Sequence, residues 1–343
     1  MTLLLNTLYV TTPEAHLYKE GETVLVKVDH EKRLQVPLHH LQAIVAMGQV
    51  YASPELMRAC LERDLSLVFL SERGRFQGRL EGISAQGAWL RRSQMETHLD
   101  TTRSLAIAKA IVKGKLANQR HVLQRAAREA SGETAVELAQ SADRIQMIQR
   151  DVERMETHDQ VRGCEGEGAA RYFEGFPLLI RQQQEAFPWQ GRNRRPPKDA
   201  LNAMLSFSYA LLMGDCLAAC QAVGLDPAFG FLHAFRPGRP ALALDLMEVF
   251  RPLVADRLVL GLVNTQQVRL DGFRVSESGA VEMDDDTRKA LIVAHQERKA
   301  QSIRHPFLDS EVPWGLAPVL EARLLARHLR GDLDVFPPFH PKG

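Results

Sequence analysis

The period of the hydrophobic pattern changes once along the chain, near residue 95, and that change limits the fold more than any other feature. Before it, apolar and polar residues alternate as on a sheet with one face against a core; after it, apolar residues recur at the spacing of one helix face. In the first region Leu3 to Thr11, His16 to Lys19 and Thr23 to Val28 read as strands, with a turn at Glu20-Gly21. Ser53-Pro54-Glu55 opens a short helix, an N-cap followed by proline, and Leu56, Met57, Cys60 and Leu61 give it an apolar stripe. Leu65 to Leu70 fits a buried strand, Arg73-Gly74 turns into Phe76 to Ile83, and Ala88 to Leu90 closes the region as its last extended segment. Beyond it, helical rhythm runs over Ser104 to Arg128 and Ala135 to Met155, then over 161–184, 199–223, 243–256, 284–300 and 315–330. The segment Pro188 to Lys198 is too rich in proline and arginine to continue a helix. The fold class predicted is α+β: a β-rich N-terminal domain over 1–92, then an all-helical domain over 93–343.

Lysine and arginine total 43 against 42 acids, a formal charge of +1, so any polyanion must be met by a local patch rather than by bulk charge. The first residues lack the basic flank and apolar core of a signal peptide, and no stretch reads as long enough to span a membrane. Cys60, Cys164, Cys216 and Cys220 show no CxxC pairing and read as small buried hydrophobes of a reducing compartment. A cytoplasmic protein with no membrane partner is expected.

The chemistry concentrates in Phe229 to Pro252, FGFLHAFRPGRPALALDLMEVFRP. It places His233 on a loop punctuated by Pro237, Gly238 and Pro240, then Asp245 and Glu248 three residues apart, on one face of a helix. Two acids with an imidazole turned back toward them make half of a divalent-metal site. At the start of a helix the same acids would also suit the helix dipole with no metal at all. Arg236, Arg239 and Arg251 lie in the same segment, and acids able to hold a metal beside arginines able to hold phosphate point to phosphoryl transfer on a polyanion. The missing ligand is sought in Val161 to Phe176, where Gly163, Gly166 and Gly168 interrupt a helix, each at about 1 kcal/mol against alanine. That cost implies close approach by another backbone, and Glu165 or Glu167 could complete the set; a close helix crossing with two solvated glutamates fits the spacing equally.

Several separated motifs carry a resemblance. EGxxxxxYF at Glu165 to Phe173, RRPPxDxLNAxLSFxYALL at Arg194 to Leu212, GFLH at Gly230 to His233 and LDLMExFRPxxxDR at Leu244 to Arg257 resemble the CRISPR-associated integrase of the spacer-acquisition complex. LNTLYVTTPxAxL near the start, ASPxLMxAC at Ala52 to Cys60 and LARHLRGDLxxFPPF at Leu325 to Phe339 resemble its type I-C branch. The likeness runs over essentially the whole chain. It implies a β-rich N-terminal domain, a catalytic helical domain and a homodimer that associates with a small ferredoxin-like CRISPR adaptation protein; the β-rich domain, small for a region standing alone at about 90 residues, is expected to serve dimerisation through part of its apolar surface. It also implies a divalent metal held by the glutamate of EG, the histidine of GFLH and the acid three residues after the Asp of DLxE. Those positions are Glu165, His233 and Glu248, with Asp245 as the supporting acid, and Glu167 does not align. Gly168, Ser208 and Glu321 depart from the residues expected there, Ala, Gly and Gln.

Carboxylates with one imidazole suit Mg²⁺ or Mn²⁺. The resulting expectation is an endonuclease and integrase that joins the 3′-hydroxyl ends of a captured double-stranded DNA fragment into a CRISPR leader and repeat by transesterification. Arg236, Arg239 and Arg251 are candidate phosphate clamps, and Arg192, Arg194, Arg195 and Lys198 a second basic patch. Tyr172 and Tyr209 read as core residues rather than nucleophiles. A non-catalytic DNA-binding scaffold, a general metal-dependent DNA nuclease and a metallohydrolase of small phosphoesters remain open alternatives.

Overall fold

The computed structural model describes residues 6–63, 65–71, 76–80, 88–193 and 195–340. The chain divides into two compact units, Met1–Gln86 and Gly87–Gly343. The reading of Arg73-Gly74 as a turn, and the outer ends of the strands placed at Leu3 and Ile83, lie outside the described residues.

In the first unit the strands are β1 (Asn6–Val10), β2 (Ala15–Glu20), β3 (Thr23–Val28), β4 (Glu31–Pro37), β5 (Leu41–Met47), β6 (Val50–Ala52), β7 (Ser66–Leu70) and β8 (Phe76–Leu80), with α1 (Pro54–Glu62) between β6 and β7. They form two four-stranded sheets, ordered β1-β5-β7-β8 and β4-β3-β2-β6. β1, β5 and β7 run parallel and β8 returns antiparallel, whereas β2, β3 and β4 form an antiparallel meander. Period-two burial is plain in β2, where Ala15 and Leu17 face the core while His16 and Tyr18 face out. On that outer face His16 stacks on Tyr51 with centroids 4.7 Å apart. The core joins Leu8, Val10, Leu17, Val24, Ile44 and Leu67 to Leu56 and Cys60 of α1. Ser53 starts α1 by accepting the Leu56 N–H at 3.2 Å, with Pro54 in the first turn where its missing N–H costs nothing.

The second unit is built on α2 (Ala88–Leu99), α3 (Thr101–Glu129), α4 (Gly132–Asp151), α5 (His158–Gly175), α6 (Ala200–Val223), α7 (Ala241–Phe250), α8 (Arg257–Asn264), α9 (Asp285–Ala300) and α10 (Ala317–Leu329). Local chemistry sets its breaks. Asp100 caps α3 by accepting the Thr102 and Arg103 N–H groups, Thr157 and Gln160 form a capping box on α5, and Gly224 ends α6 at φ +87°. The long α3 lies against α4, α5 and α7, and α6 against α7 and α10. The tail after α10 folds back, with Phe336 and Phe339 fully buried.

Several expectations are corrected here. Ala88 to Leu90 is the first turn of α2, not an extended segment. The unit is not all helical: β9 (Phe273–Val275) pairs with β10 (Val281–Met283), and β11 (Ser302–His305) with β12 (Ser310–Pro313). Strands of three or four residues carry too little alternation to be read from a pattern. The helix expected over 161–184 stops at Gly175, before the Pro177 turn. The one expected over 243–256 is α7, followed by a π-helical turn at Arg251–Asp256 that leads into α8. One helix, Ala200–Gln221 within α6, is after all long and apolar enough to cross a membrane by length and composition; most of it is buried inside the unit, packed on α7 and α10.

Candidate metal centre

Because α7 begins at Ala241 rather than 243, Asp245 and Glu248 sit inside the helix, and its first turn holds no acid. The helix dipole therefore does not account for them. Both are buried, with relative exposures of 0% and 2%, and a buried carboxylate needs partners to remain ionised. Asp245 finds them in the GFLH loop: its Oδ2 accepts the Phe231 and Leu232 N–H groups at 2.5 and 3.0 Å, and its Oδ1 the His233 N–H at 2.9 Å. The same Oδ1 lies 2.7 Å from His233 Nδ1. That contact assigns the ring proton to Nδ1 and leaves the Nε2 lone pair free, 3.8 Å from Glu248 Oε1.

The loop is held from three further sides. Gln94 on α2 donates to the Asp226 and Phe229 carbonyls, each at 2.8 Å, and accepts the Asp226 N–H at 2.9 Å. His98 Nδ1 meets the Gly230 carbonyl at 2.6 Å, and Arg162 on α5 reaches the Leu232 carbonyl at 3.3 Å. A Cβ at Gly230 would lie 2.7 Å from both the Ala241 backbone and Asp245 Oδ2, so only glycine lets the loop close on α7.

Glu165 arrives from α5, and Lys115 of α3 joins it to Glu248. The Lys115 ammonium hydrogen-bonds Glu165 Oε1 and lies 2.6 Å from Glu248 Oε2, with side-chain exposure of only 4%. Burial pushes the Lys115 pKa down, but the Glu248 and Glu165 carboxylates outweigh it and keep the ammonium charged. On its other side Glu248 pairs with Arg251 at 2.9 Å. Burial alone would raise the Glu248 pKa; the Arg251 and Lys115 charges reverse that and lower it to about 2.

The donor set fits a hard divalent cation. Carboxylates from two helices already converge on one positive charge, with an available imidazole nitrogen facing one of them. Among the described residues no three acidic, histidine or cysteine side chains stand close enough to hold an ion as they are. The Lys115 ammonium fills the space between the two glutamates.

The remaining candidates divide. Glu167 is exposed and lines a groove with Arg144, Asp151, Cys164 and Arg171, away from Glu248. Of the three glycines in α5, Gly163 and Gly166 meet open space; only Gly168 is crowded, and by the Leu116 side chain of α3 rather than by backbone. Arg236, Arg195 and Lys198 are exposed, Arg239 is half-buried, and Arg194 lies outside the described residues. Arg192 is engaged internally, donating to Asn202 Oδ1 at 2.6 Å and Ser206 Oγ at 3.2 Å. Arg251 and Arg192 both stack on the Tyr209 ring, at 4.7 and 5.3 Å, so Arg251 is an internal ion-pair partner of Glu248. Tyr209 donates to Asp256 at 2.6 Å, and burial raises the pKa of both Tyr172 and Tyr209 well above the usual phenol, the opposite of an activated nucleophile. Cys60, Cys216 and Cys220 are buried, and Cys164 is half-buried.

Lys115, Gln94 and His98 are what the sequence reading missed. Lys115 stands in a helix with basic residues throughout, and only its place between buried positions on either side, Gly114 and Leu116, hinted at burial.

The fold and this centre define a class, an α+β protein with a strand-rich unit and a helical unit in which Glu165 and Glu248 meet at one cationic position and His233 faces Glu248. Residues 8–297 match the family described as CRISPR associated protein Cas1, and the chain belongs to that family. It is 47% identical over 344 residues to the CRISPR-associated endonuclease Cas1 2 of Rhodospirillum rubrum, covering 99% of each chain. It is 45% identical over 347 residues to the CRISPR-associated endonuclease Cas1 1 of Moorella thermoacetica, again covering 99% of each. Its fold is similar to that of a Cas1 protein from Thermotoga maritima, with a TM-score of 0.83 at 22% identity over 96% of this chain and 99% of that one.

Proposed function

We propose that the protein is a divalent-metal-dependent DNA endonuclease and integrase of CRISPR adaptation, which joins the 3′-hydroxyl ends of a captured duplex into a leader and repeat by transesterification. The observation that carries this reading is the convergence of Glu165 and Glu248, from different helices, on one buried cationic position, with His233 Nε2 facing Glu248 at 3.8 Å, in a chain of the Cas1 family. Glu165, His233 and Glu248 would hold Mg²⁺ or Mn²⁺, which when bound polarises a phosphate and offsets charge developing on its oxygens.

The chain's own residues do the rest. Asp245 fixes the His233 ring and tautomer, so the imidazole acts as a ligand and not as a general base. Arg251 neutralises part of the Glu248 charge and keeps that carboxylate in place. Exposed Arg236, Arg195 and Lys198 are suited to DNA phosphates, with Arg239 and Arg194 as further candidates; the pinned Arg192 and Arg251 are better suited to shaping the site. The balance for joining is one phosphodiester for another: the incoming 3′-oxygen bonds to phosphorus and gives its proton to solvent, and the target 3′-oxygen leaves and takes a proton from solvent to become a hydroxyl.

The wider assembly belongs to the same reading. The exposed His16, Tyr18 and Tyr51 on one sheet face support a homodimer paired through the first unit. The resemblance of the sequence motifs supports the type I-C branch and the small ferredoxin-like adaptation partner, and the cysteine pattern supports a cytoplasmic setting. The test is strand transfer of a short duplex into a plasmid carrying a leader and repeat, using matched fragments ending in a 3′-hydroxyl or a 2′,3′-dideoxy nucleotide. Joined product should form only with the hydroxyl end and vanish with chelator. Equal nicking with either end and no joining would leave a nuclease.

A further inference from the structure

A lysine 3% exposed, placed between two carboxylates assigned to a metal, is an unusual use of a buried charge. A surface lysine swings freely; this one is carried on a stretch of α3 that is locked on both sides. A Cβ at Gly114 would come within 2.8 Å of Pro338, so α3 lies directly on the folded-back tail. One turn on, Asn118 Nδ2 donates to the Val249 carbonyl at 2.8 Å and to the Phe339 carbonyl at 2.9 Å, tying α3 to α7 just past Glu248. The backbone under Lys115 therefore stays in register with Glu248, and only the side chain is free to move.

Charge makes the same point. Glu165 and Glu248 share one buried cation, Lys115, while Arg251 holds Glu248 through its other carboxylate oxygen. If the ammonium swings out, Glu248 keeps Arg251, but Glu165 and Glu248 lose the charge they share. We propose that Lys115 is the resident counter-ion of this centre: its ammonium holds Glu165 and Glu248 together until a divalent cation replaces it, and so sets how tightly that cation binds. The proposal rests on the metal-site reading above. It makes Lys115 a positioning residue, since it acts through the two glutamates. Ammonium and metal compete for the same oxygens, so the coupling is reciprocal: whatever weakens one strengthens the other.

The experiment uses the full chain as wild type, Lys115→Met and Lys115→Gln, all purified with Mn²⁺ and then stripped. Free Mn²⁺ is followed by electron paramagnetic resonance during titration, and thermal unfolding is recorded in chelator and in saturating Mn²⁺. The variants should bind Mn²⁺ at least about fivefold more tightly than wild type, the lower end of ordinary coupling between sites. Their melting temperature should fall in chelator and be raised by Mn²⁺ more than that of wild type. Unchanged or weaker Mn²⁺ affinity, with the same loss of stability in chelator and in Mn²⁺, would make Lys115 a merely structural ion-pair partner and overturn the inference. Failure of both variants to fold even in Mn²⁺ would overturn it too. If wild type itself binds no Mn²⁺, the metal-site reading fails and this inference falls with it.

Discussion

Two glutamates of the helical unit are buried to the same degree and meet opposite fates. Glu248 on α7 is 2% exposed and Glu321 on α10 is 1% exposed. Glu248 is ringed by Lys115, Arg251 and His233 and stays ionised, its pKa lowered to about 2 against the pull of burial. Neither oxygen of Glu321 makes a full hydrogen bond, and the group that faces it is the fully buried His305, with Nε2 at 3.7 Å. Burial pushes the Glu321 pKa well above the ordinary value, with the Phe339 backbone opposing it weakly, and burial lowers that of His305. Burial thus disfavours the charged form of both groups, and Glu321 lies packed under the C-terminal tail. Burial does not decide the charge of a carboxylate; its partners do. The centre keeps its anions ready for a cation, while the region under the tail is only packed.

Breaking the ringed glutamate should have the largest effect. Glu248→Ala leaves Lys115 and Arg251 buried with one carboxylate fewer, at a cost of about 3–5 kcal/mol, and should abolish strand transfer. Thermal melts and a joining assay check both effects. Glu165→Ala, at a site 26% exposed, should be equally inactive but clearly more stable than Glu248→Ala. Glu167→Ala should change neither measurement much.

One step out from the ligands, Asp245→Asn keeps a similar shape but loses the charge that accepts three backbone N–H groups and orients His233. Metal affinity should fall by roughly 10–100-fold, as for other partners of ligating histidines, and a Mn²⁺ titration measures it.

The comparison is sharpened by pH, because the two glutamates act with opposite sign. Glu248 has a folded pKa below its unfolded one, so it adds stability above about pH 4.5 that is lost as pH falls toward 2. Glu321 has a folded pKa above its unfolded 4.5, so its contribution is full below that pH and is lost as pH rises through the raised value. Glu321→Gln should therefore match wild type most nearly in mild acid and gain on it as pH rises, reaching about 1–3 kcal/mol, the usual cost of an unsatisfied buried polar group. Chemical denaturation at pH 4.5, 6 and 8 gives the difference; a gap that shrinks with pH would contradict the assignment.

The smallest effect is expected at the exposed rim. Arg236→Ala should weaken duplex binding modestly and lower the salt slope by about one unit, since one phosphate contact is lost. Arg192→Ala should act more on stability than on that slope, because its guanidinium is already bonded to Asn202 and Ser206.

What could be read from the sequence follows how local the causes are. His233, Asp245 and Glu248 are joined by one short loop and one helix, so their spacing carried the message, and Glu165 came from a motif. Lys115 could not be found this way: its partners are 50 and 133 residues away, and a lysine in a basic helix looks solvated until α5 and α7 close over it. The helical rhythm read from 243 starts two residues inside α7, which puts both acids at a helix end and leaves the dipole explanation open. α1, β2 and β3 were legible because Ser53, Pro54 and the Glu20-Gly21 turn fix them locally. β9 to β12 were not, being short hairpins with their pattern lost among helices.

The central claim is that Glu165, His233 and Glu248 hold one divalent ion in the space now bridged by Lys115. A crystal soaked in Mn²⁺ and measured at a wavelength where manganese scatters anomalously tests it most directly. A single strong peak is expected about 2.0–2.3 Å from a Glu165 oxygen, a Glu248 oxygen and His233 Nε2, with the Lys115 ammonium moved off both carboxylates. A peak elsewhere, or no peak while Lys115 still bridges Glu165 and Glu248, would contradict it.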